Sequence, residues 1–217
     1  MAKPLLVIGN KNYSSWSLRP YMALAGIGIA FDEKLIRFGE TFAKSAKRYS
    51  KSGLVPILIH NGVTIWESLA ILEYIAETWP EKNLWPKNKA ARAMARSMCS
   101  EMHAGFRHLR SACPMNLRRP PKAVPLTDGI KADVARIEYL WAEARKTHGK
   151  SGPFLFGRFS LADAMYAPVV TRLHTYDFKV SRATRAYMDA ILGSPAFQSW
   201  LEEALKEPWI YAEDEVD

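Results

Sequence analysis

Residues 53–76 read GLVPILIHNGVTIWESLAILEYIA, and they carry the clearest structural pattern of this 217-residue chain. Two short apolar runs, Pro56–Ile59 and Val63–Ile65, flank an Asn-Gly dipeptide. Asn-Gly supplies the positive φ angles of a type I′ turn, so the two runs are predicted to form an antiparallel hairpin. In residues 67–78 the apolar positions recur at a spacing of three or four, which predicts an amphipathic helix packed on that hairpin.

The residues before this stretch predict a strand, a helix and a second strand. Leu5–Ile8 is a continuous apolar run closed by glycine, which suits a strand buried on both faces. A helix is predicted over Trp16–Ile27 and a second strand over Phe31–Ile36. Two strands joined in this way lie parallel, and residues 39–53 predict only a short irregular helix. The N-terminal part is therefore predicted as βαβ followed by ββα.

The rest of the chain predicts helices only. Two prolines within residues 80–88 interrupt the pattern and indicate a linker. Helical spacing follows in Lys89–Ala112 and Asp128–His148, and a Ser-Leu-Ala-Asp capping box at 160–163 predicts another helix start. The expected organisation is an α+β domain at 1–79, a linker at 80–88 and an all-α domain at 89–217.

Composition excludes several classes of protein. The chain is 48% hydrophobic, enough for a sizeable core, and no apolar run approaches the roughly 18 to 20 residues that cross a bilayer. The N-terminus lacks the pattern of a secretory signal, so a cytoplasmic protein without a membrane partner is expected. Cys99 and Cys113 match no zinc or redox spacing, and the five histidines form no i, i+4 pair, so no metal site is predicted.

The net charge of +8 raises the question of nucleic acid, but the basic residues are spread along the chain and no nucleic-acid partner is predicted. One segment, 105–122, contains Arg107 and four further basic residues without any acid. It could border a binding site for anions. The favoured interpretation is a solvated helix end, because surface helices commonly carry such charge.

Hydroxyl groups cluster where the first helix is expected to begin. Ser14, Ser15 and Ser17 follow the first strand, and the positive end of a helix favours negative charge. A serine there can donate a hydrogen bond to a thiolate, and each unit by which a thiol pKa of about 8.5 falls corresponds to about 1.4 kcal/mol. The alternative is that these serines only cap the helix.

A second candidate site follows the sheet residues. If the Val55-Pro56 bond is cis, the backbone N–H and C=O of Val55 are free to pair with an extended peptide. At the start of the next helix, Glu67 offers a carboxylate to a ligand ammonium, and Ser68 offers a hydroxyl and an amide to a ligand carboxylate. The alternatives are an ordinary edge-strand proline and a helix cap.

Together these motifs resemble those of the cytosolic glutathione transferase family. The resemblance rests on four segments that span nearly the whole chain: Ser-Ser-x-Ser-x-Arg at 14–19, Gly-x-Val-Pro at 53–56, Glu-Ser-x-Ala-Ile at 67–71 and Ser-x-Ala-Asp at 160–163. It implies a thioredoxin-like N-terminal domain that binds glutathione, an all-helical domain that supplies the pocket for an electrophile, and a homodimer. The paired serines most resemble the serine-type branches, including the zeta class of maleylacetoacetate isomerases.

The resemblance also implies roles for individual residues. Ser14 or Ser15 supports the glutathione thiolate, with Ser14 the first choice. The glutathione-binding residues implied are Val55 beside Pro56 for the cysteinyl backbone, Glu67 and Ser68 for the γ-glutamyl end, and Lys51 for the glycine end. The residues suggested for the electrophile pocket are Trp16, Met102, Phe106 and Arg107, and the zeta pattern has cysteine in the place of Trp16.

The expected function is therefore a glutathione transferase that stabilises the thiolate of its co-substrate glutathione and adds it to a small hydrophobic electrophile. Two alternatives remain. One is a glutathione-dependent isomerase of the maleylacetoacetate type, and the other is a binding module without catalytic activity on the same fold, since a fold does not determine a function.

Overall fold

The computed structural model describes residues 2–216 and contains one four-stranded mixed sheet. The strands lie in the order β2-β1-β3-β4, with β1 and β2 parallel and the other neighbours antiparallel. Their bounds are Leu5–Ile8 for β1, Asp32–Leu35 for β2, Ile57–His60 for β3 and Val63–Trp66 for β4. Asn61 and Gly62 between β3 and β4 have φ angles of 50° and 78°, as a type I′ turn requires. The predicted parallel crossover and hairpin are confirmed.

Three helices cover the two faces of this sheet. Helix α1, Ser15–Gly26, and helix α3, Ser68–Thr78, pack against each other on one face. The short helix α2, Phe42–Ala46, packs on the other face, where Val7 of β1 contacts a small separate apolar cluster. The neighbours of Val7 in β1 belong to the main core instead, which explains why this strand is apolar at every position.

The remaining helices form the predicted all-helical region, with one difference. The helix expected over 89–112 is divided into α4, Lys89–Ala104, and α5, Arg107–Ala112. Phe106 between them adopts a left-handed φ of 56°, which ends α4 even though the apolar spacing continues. The other helices are α6, Asp128–His148; α7, Leu161–Thr175; α8, Arg182–Leu192; and α9, Pro195–Lys206.

Helix α7 is the buried centre of the helical region. Its predicted capping box forms: Asp163 accepts hydrogen bonds from the Ser160 amide at 2.8 Å, the Ser160 hydroxyl at 2.7 Å and the Leu155 amide at 3.1 Å. Burial raises the pKa of Asp163 to about 6. Because α7 packs directly on α1, one apolar core runs from the sheet into the helical region.

The segment predicted as a linker, 80–88, contains one 3₁₀ turn over Pro80–Lys82 and buries Leu84 and Trp85 in that core. Within residues 2–216, no helix is long and apolar enough to cross a membrane.

Candidate active site

A cavity of about 1230 Å³ lies where the sheet domain meets the helical region. One wall is built from residues 13–16 at the start of α1, together with Leu54 and Val55 before β3. The opposite wall comes from His103 on α4, from α5 and from Arg172 on α7. Residues of the chain after α9 complete the rim.

Ser14 lies at the N-terminal end of α1 and is only 4% exposed. Its side chain makes no capping hydrogen bond, so the alternative in which it serves as a helix cap is not realised. Instead, the Ser14 hydroxyl donates to the Ser17 hydroxyl at 2.7 Å, and the Gly9 amide donates to the same Ser17 oxygen at 3.1 Å. Ser14 is therefore one member of a short buried chain of hydrogen bonds beside the cavity.

Ser15 is held by an arginine from the other end of the chain. Nη2 of Arg172 donates to the Ser15 hydroxyl oxygen at 3.2 Å, which leaves the Ser15 hydroxyl hydrogen available as a donor. Arg172 also donates to the carbonyl oxygens of Cys113 at 2.9 Å and Pro168 at 3.1 Å. Burial, with a smaller contribution from the charge of Arg110, lowers the pKa of Arg172 to about 10, so it remains a cation at neutral pH.

The Val55-Pro56 peptide bond is cis, and Val55 lines the cavity. Among the hydrogen bonds of residues 2–216, none engages the backbone N–H or C=O of Val55. The neighbouring Leu54 side chain is 57% exposed. The backbone just before β3, an interior strand of the sheet, therefore has a free donor and acceptor at the cavity wall, where the sequence predicted pairing with a peptide.

Glu67 and Ser68 begin α3 behind this wall. Glu67 has the unusual backbone angles φ 68° and ψ 124°, which a residue with a side chain adopts at a cost of about 1–3 kcal/mol and which occur frequently at binding sites. Its carboxylate lies 3.8 Å from Nε2 of His103, a residue of the cavity wall. Ser68 is fully buried, and its hydroxyl accepts a hydrogen bond from Arg19 at 3.3 Å.

Two further predicted residues lie on the cavity wall. The Trp16 ring is flanked by the guanidinium groups of Arg19 at 4.0 Å and Arg110 at 4.7 Å, and it meets His103 edge-on at 5.3 Å. Arg107 and Arg110, both on α5, line the helical wall of the cavity. The structure thus brings together five predicted residues, Ser14, Ser15, Trp16, Val55 and Arg107. The other six predicted residues do not line the cavity. Pro56, Glu67 and Ser68 lie behind its sheet-domain wall, Met102 and Phe106 are buried in the core, and Lys51 is exposed in the turn before Gly53.

The basic segment 105–122 is not a solvated helix end, and that interpretation is wrong. Arg107 and Arg110 line the cavity. Arg118 donates to the carbonyl oxygen of Trp209 at 2.6 Å, and Arg119 donates to that of Val216 at 2.9 Å. The segment therefore forms one cavity wall and fastens the C-terminal chain over it.

Sequence reasoning missed His103 and Arg172. Burial, followed by the charge of Arg19, lowers the pKa of His103, so its imidazole is neutral at neutral pH. Its Nδ1 atom is buried and has no hydrogen-bond partner within residues 2–216. Arg172 had a usable signal, because it is the only arginine in the mostly apolar sequence LADAMYAPVVTRLHT of α7.

Comparison with known proteins agrees with this geometry. Residues 13–78 match the family model for the glutathione S-transferase N-terminal domain, and residues 92–203 match the model for the glutathione S-transferase C-terminal domain. The chain belongs to the glutathione S-transferase family. This membership confirms the predicted fold class, a thioredoxin-like domain followed by a helical domain, and the predicted glutathione-dependent enzyme with glutathione as co-substrate.

Two relatives align over most of this chain at less than 30% identity. Maleylacetoacetate isomerase of Rattus norvegicus is 29% identical over 201 residues, which cover 90% of this chain and 91% of that protein. A probable maleylacetoacetate isomerase of Caenorhabditis elegans is 28% identical over 82% of this chain and 83% of its own length. A silkworm (Bombyx mori) diazinon-metabolizing glutathione S-transferase has a TM-score of 0.72 at 19% identity, covering 94% of this chain and 98% of that one, and shows the shared fold.

Proposed function

We propose that this chain binds glutathione along the Val55 edge of the cavity, stabilises its thiolate at Ser14 and adds it to an electrophilic carbon held against the helical wall. The observation that best supports this proposal is the position of Ser14 and Ser15. Their two buried hydroxyls at the start of α1 line the same cavity as Val55, whose backbone groups are free. The roles assigned to Glu67 and Ser68 at the γ-glutamyl end stay predictions, because neither residue lines the cavity and Ser68 is fully buried. The assigned roles of Lys51, Met102 and Phe106 stay predictions.

For Ser14 to donate to the thiolate, its hydrogen bond with Ser17 must reverse: the Ser17 hydroxyl then donates to the Ser14 oxygen, and the Ser14 hydrogen is free to point at the sulfur. A hydrogen bond to a charged group is worth about 1.5–3 kcal/mol, which lowers a thiol pKa by about one to two units. The α1 N-terminus adds favourable partial charge, and the Arg172 cation reaches Ser15. In the addition step, the thiolate forms a C–S bond, the displaced electron pair moves onto the electrophile, and either a leaving group departs or a proton is taken from water.

A specific observation also favours the second candidate, a glutathione-dependent isomerase of an acidic enone. The helical wall is cationic, because Arg107, Arg110 and Arg172 line it and none of them forms an ion pair within residues 2–216. The carboxylates of Glu40, Glu213 and Asp214 also border the cavity without an ion pair within residues 2–216, and Asp214 lies near enough to Arg172 for each charge to affect the pKa of the other. Reversible thiolate addition to a cis double bond, rotation about the resulting single bond and expulsion of the thiolate would give the trans isomer.

Substitution of the serines tests the proposal. Calorimetric titration with glutathione is followed by conjugation of 1-chloro-2,4-dinitrobenzene. Ser14→Ala is expected to lower turnover by about ten- to a hundredfold, which is the fold-change equivalent of the lost hydrogen bond, while the Kd for glutathione changes little. Ser15→Ala is the matched variant. Unchanged turnover in both variants would contradict the thiolate role, and a wild-type protein that does not bind glutathione would favour the non-catalytic module.

Homodimer formation and a cytoplasmic location are part of the same proposal. β4 is an edge strand that leaves Trp66 and Val63 about half exposed, an apolar surface that a second copy could cover. Cys99 and Cys113 are free thiols, as expected in a reducing compartment. A mass of 24.5 kDa by light scattering at working concentration would contradict the dimer.

A further inference from the structure

The backbone that leads into Ser14 is held from outside its own domain. The amides of Tyr13 and Ser14 donate to the carbonyl oxygen of Asn10, at 3.1 and 2.7 Å, so the position of Asn10 sets the position of Ser14. Residues 10–12 come directly after β1 and would otherwise be a free loop. Some of their contacts lead to the end of α9, almost 200 residues away in sequence, and Asn12 is held in addition by hydrogen bonds with residues 116–118.

Glu207, the residue that follows α9, makes the main contacts. Its carboxylate accepts hydrogen bonds from the Lys11 amide at 2.7 Å, the Asn12 amide at 3.1 Å and the Asn10 side-chain amide at 3.5 Å. The residue is 7% exposed and forms no ion pair within residues 2–216. From α9 itself, Trp200 donates to the Lys11 carbonyl oxygen at 2.9 Å. The loop is therefore fixed on both its donor and its acceptor groups.

Glutamate is an unfavourable residue at the C-terminal end of α9, for two reasons. The C-terminal end of a helix carries partial negative charge, which disfavours a carboxylate. Burial of a charge is also unfavourable unless it is compensated, and the cation bonded to this residue, Arg118, donates to the backbone carbonyl oxygen of Glu207 and not to its carboxylate. Three N–H groups of the loop compensate for both effects. The carboxylate of Glu207 therefore stabilises the loop and does not stabilise the helix that it follows. Sites where local preference is violated in this way are often functional.

We propose that Glu207 is a positioning residue for the reaction: it fixes Asn10, and through the Asn10 carbonyl it fixes the amide and hydroxyl of Ser14. Glu207 does not line the cavity, so it is not placed to touch a ligand bound there. The inference rests on the proposed function, in which Ser14 supports the thiolate. It predicts that the helical domain contributes to thiolate activation in addition to holding the second substrate.

Glu207→Gln tests this inference, because the amide keeps the shape but brings an NH₂ group against the loop amides. The matched control is Glu203→Gln on the same helix, whose carboxylate is half exposed and bonds only the Lys11 side chain. The readout is the pKa of enzyme-bound glutathione, measured from thiolate absorbance near 240 nm against pH. Glu207→Gln is expected to raise this pKa by about half to one unit and to lower kcat/KM at pH 6.5 about three- to tenfold. The Kd for glutathione and both values in Glu203→Gln should change less than about twofold.

The outcomes separate this inference from the function on which it rests. A lower melting temperature with an unchanged thiol pKa in Glu207→Gln would show a merely structural role and overturn the positioning. A raised thiol pKa in Ser14→Ala but not in Glu207→Gln would also overturn it while the proposed function stands. An unchanged thiol pKa in Ser14→Ala would refute the proposed function itself. If Glu207→Gln does not fold, Glu207→Asp keeps the charge and shortens its reach, and the same criteria apply.

Discussion

Substitution of Arg172 by methionine should separate the two candidate substrate classes. Arg172 is buried, stays cationic and lies on the cavity wall beside Arg110. A full charge about 4 Å from a ligand carboxylate is worth at most about 4 kcal/mol at an effective dielectric constant near 20. Since Arg107 and Arg110 remain, we expect a loss of about 1.4–2.8 kcal/mol for a carboxylated electrophile, equivalent to about 10- to 100-fold in kcat/KM.

The assay compares two enones that differ only in charge, trans-4-phenyl-3-buten-2-one and its analogue with a carboxylate on the ring. The readout is kcat/KM for the carboxylated enone divided by kcat/KM for the neutral enone. Partial loss of folded protein lowers both values equally and leaves this ratio unchanged. Arg172→Lys is the control: it keeps the charge and loses most of the contacts with Cys113, Pro168 and Ser15. The ratio should fall in Arg172→Met and be retained in Arg172→Lys. An equal decrease for both enones in Arg172→Met would refute a carboxylate role for this wall.

Three other substitutions test local structure. The pKa of His103 is lowered in the folded protein, so its contribution to stability is fully present above about pH 6.5 and is lost as the pH falls. In His103→Gln the free energy of unfolding, measured with urea, should therefore decrease less steeply at acid pH than in the wild type. An unchanged slope would contradict this. Asp163→Ala leaves the buried Ser160 and Leu155 amides without their acceptor and should cost about 2–5 kcal/mol in urea unfolding, with a loss below about 1 kcal/mol arguing against the capping role. In Gly9→Ala the new Cβ would lie 3.1 Å from the Ser14 hydroxyl and 2.5 Å from a ring carbon of Phe38, a half-buried residue of the cavity wall. The value of kcat/KM should therefore fall about tenfold, whereas wild-type kinetics would show that the Phe38 ring moves aside freely.

The parts of the fold that sequence predicted correctly depend on short-range rules. An Asn-Gly pair at 61–62 determines a hairpin because few other dipeptides adopt two positive φ angles. The capping box at 160–163 marks the exact start of α7 for a similar reason. By contrast, the break at Phe106 was not predictable, since a left-handed phenylalanine depends on tertiary packing and leaves the apolar spacing of 89–112 unchanged.

The sequence predicted the sheet-domain side of the candidate site better than the helical side, where Arg107 was found but His103 and Arg172 were missed. The residues Ser14, Ser15 and Val55 belong to short local motifs of the sheet domain, so their resemblance to a family could be recognised. Arg172 reaches Ser15 across 157 residues, and no local pattern records such a contact. A lone arginine in an apolar helix was the available sign, and it indicates a buried charge without identifying its partner.

The long-range hydrogen bonds of Arg172 and Glu207 both support the start of α1. Arg172 holds Ser15, and Glu207 holds the loop that positions Ser14, so the helical domain supports each of the paired serines separately. The same domain also supplies the cationic wall for the second substrate. A change in that wall that moves α7 or α9 must therefore alter thiolate stabilisation as well. For this reason substrate preference and thiol pKa are expected to change together in Arg172→Met, which loses both the charge and the bond to Ser15. In a variant of Arg107, which forms no hydrogen bond to either serine within residues 2–216, only the substrate preference is expected to change.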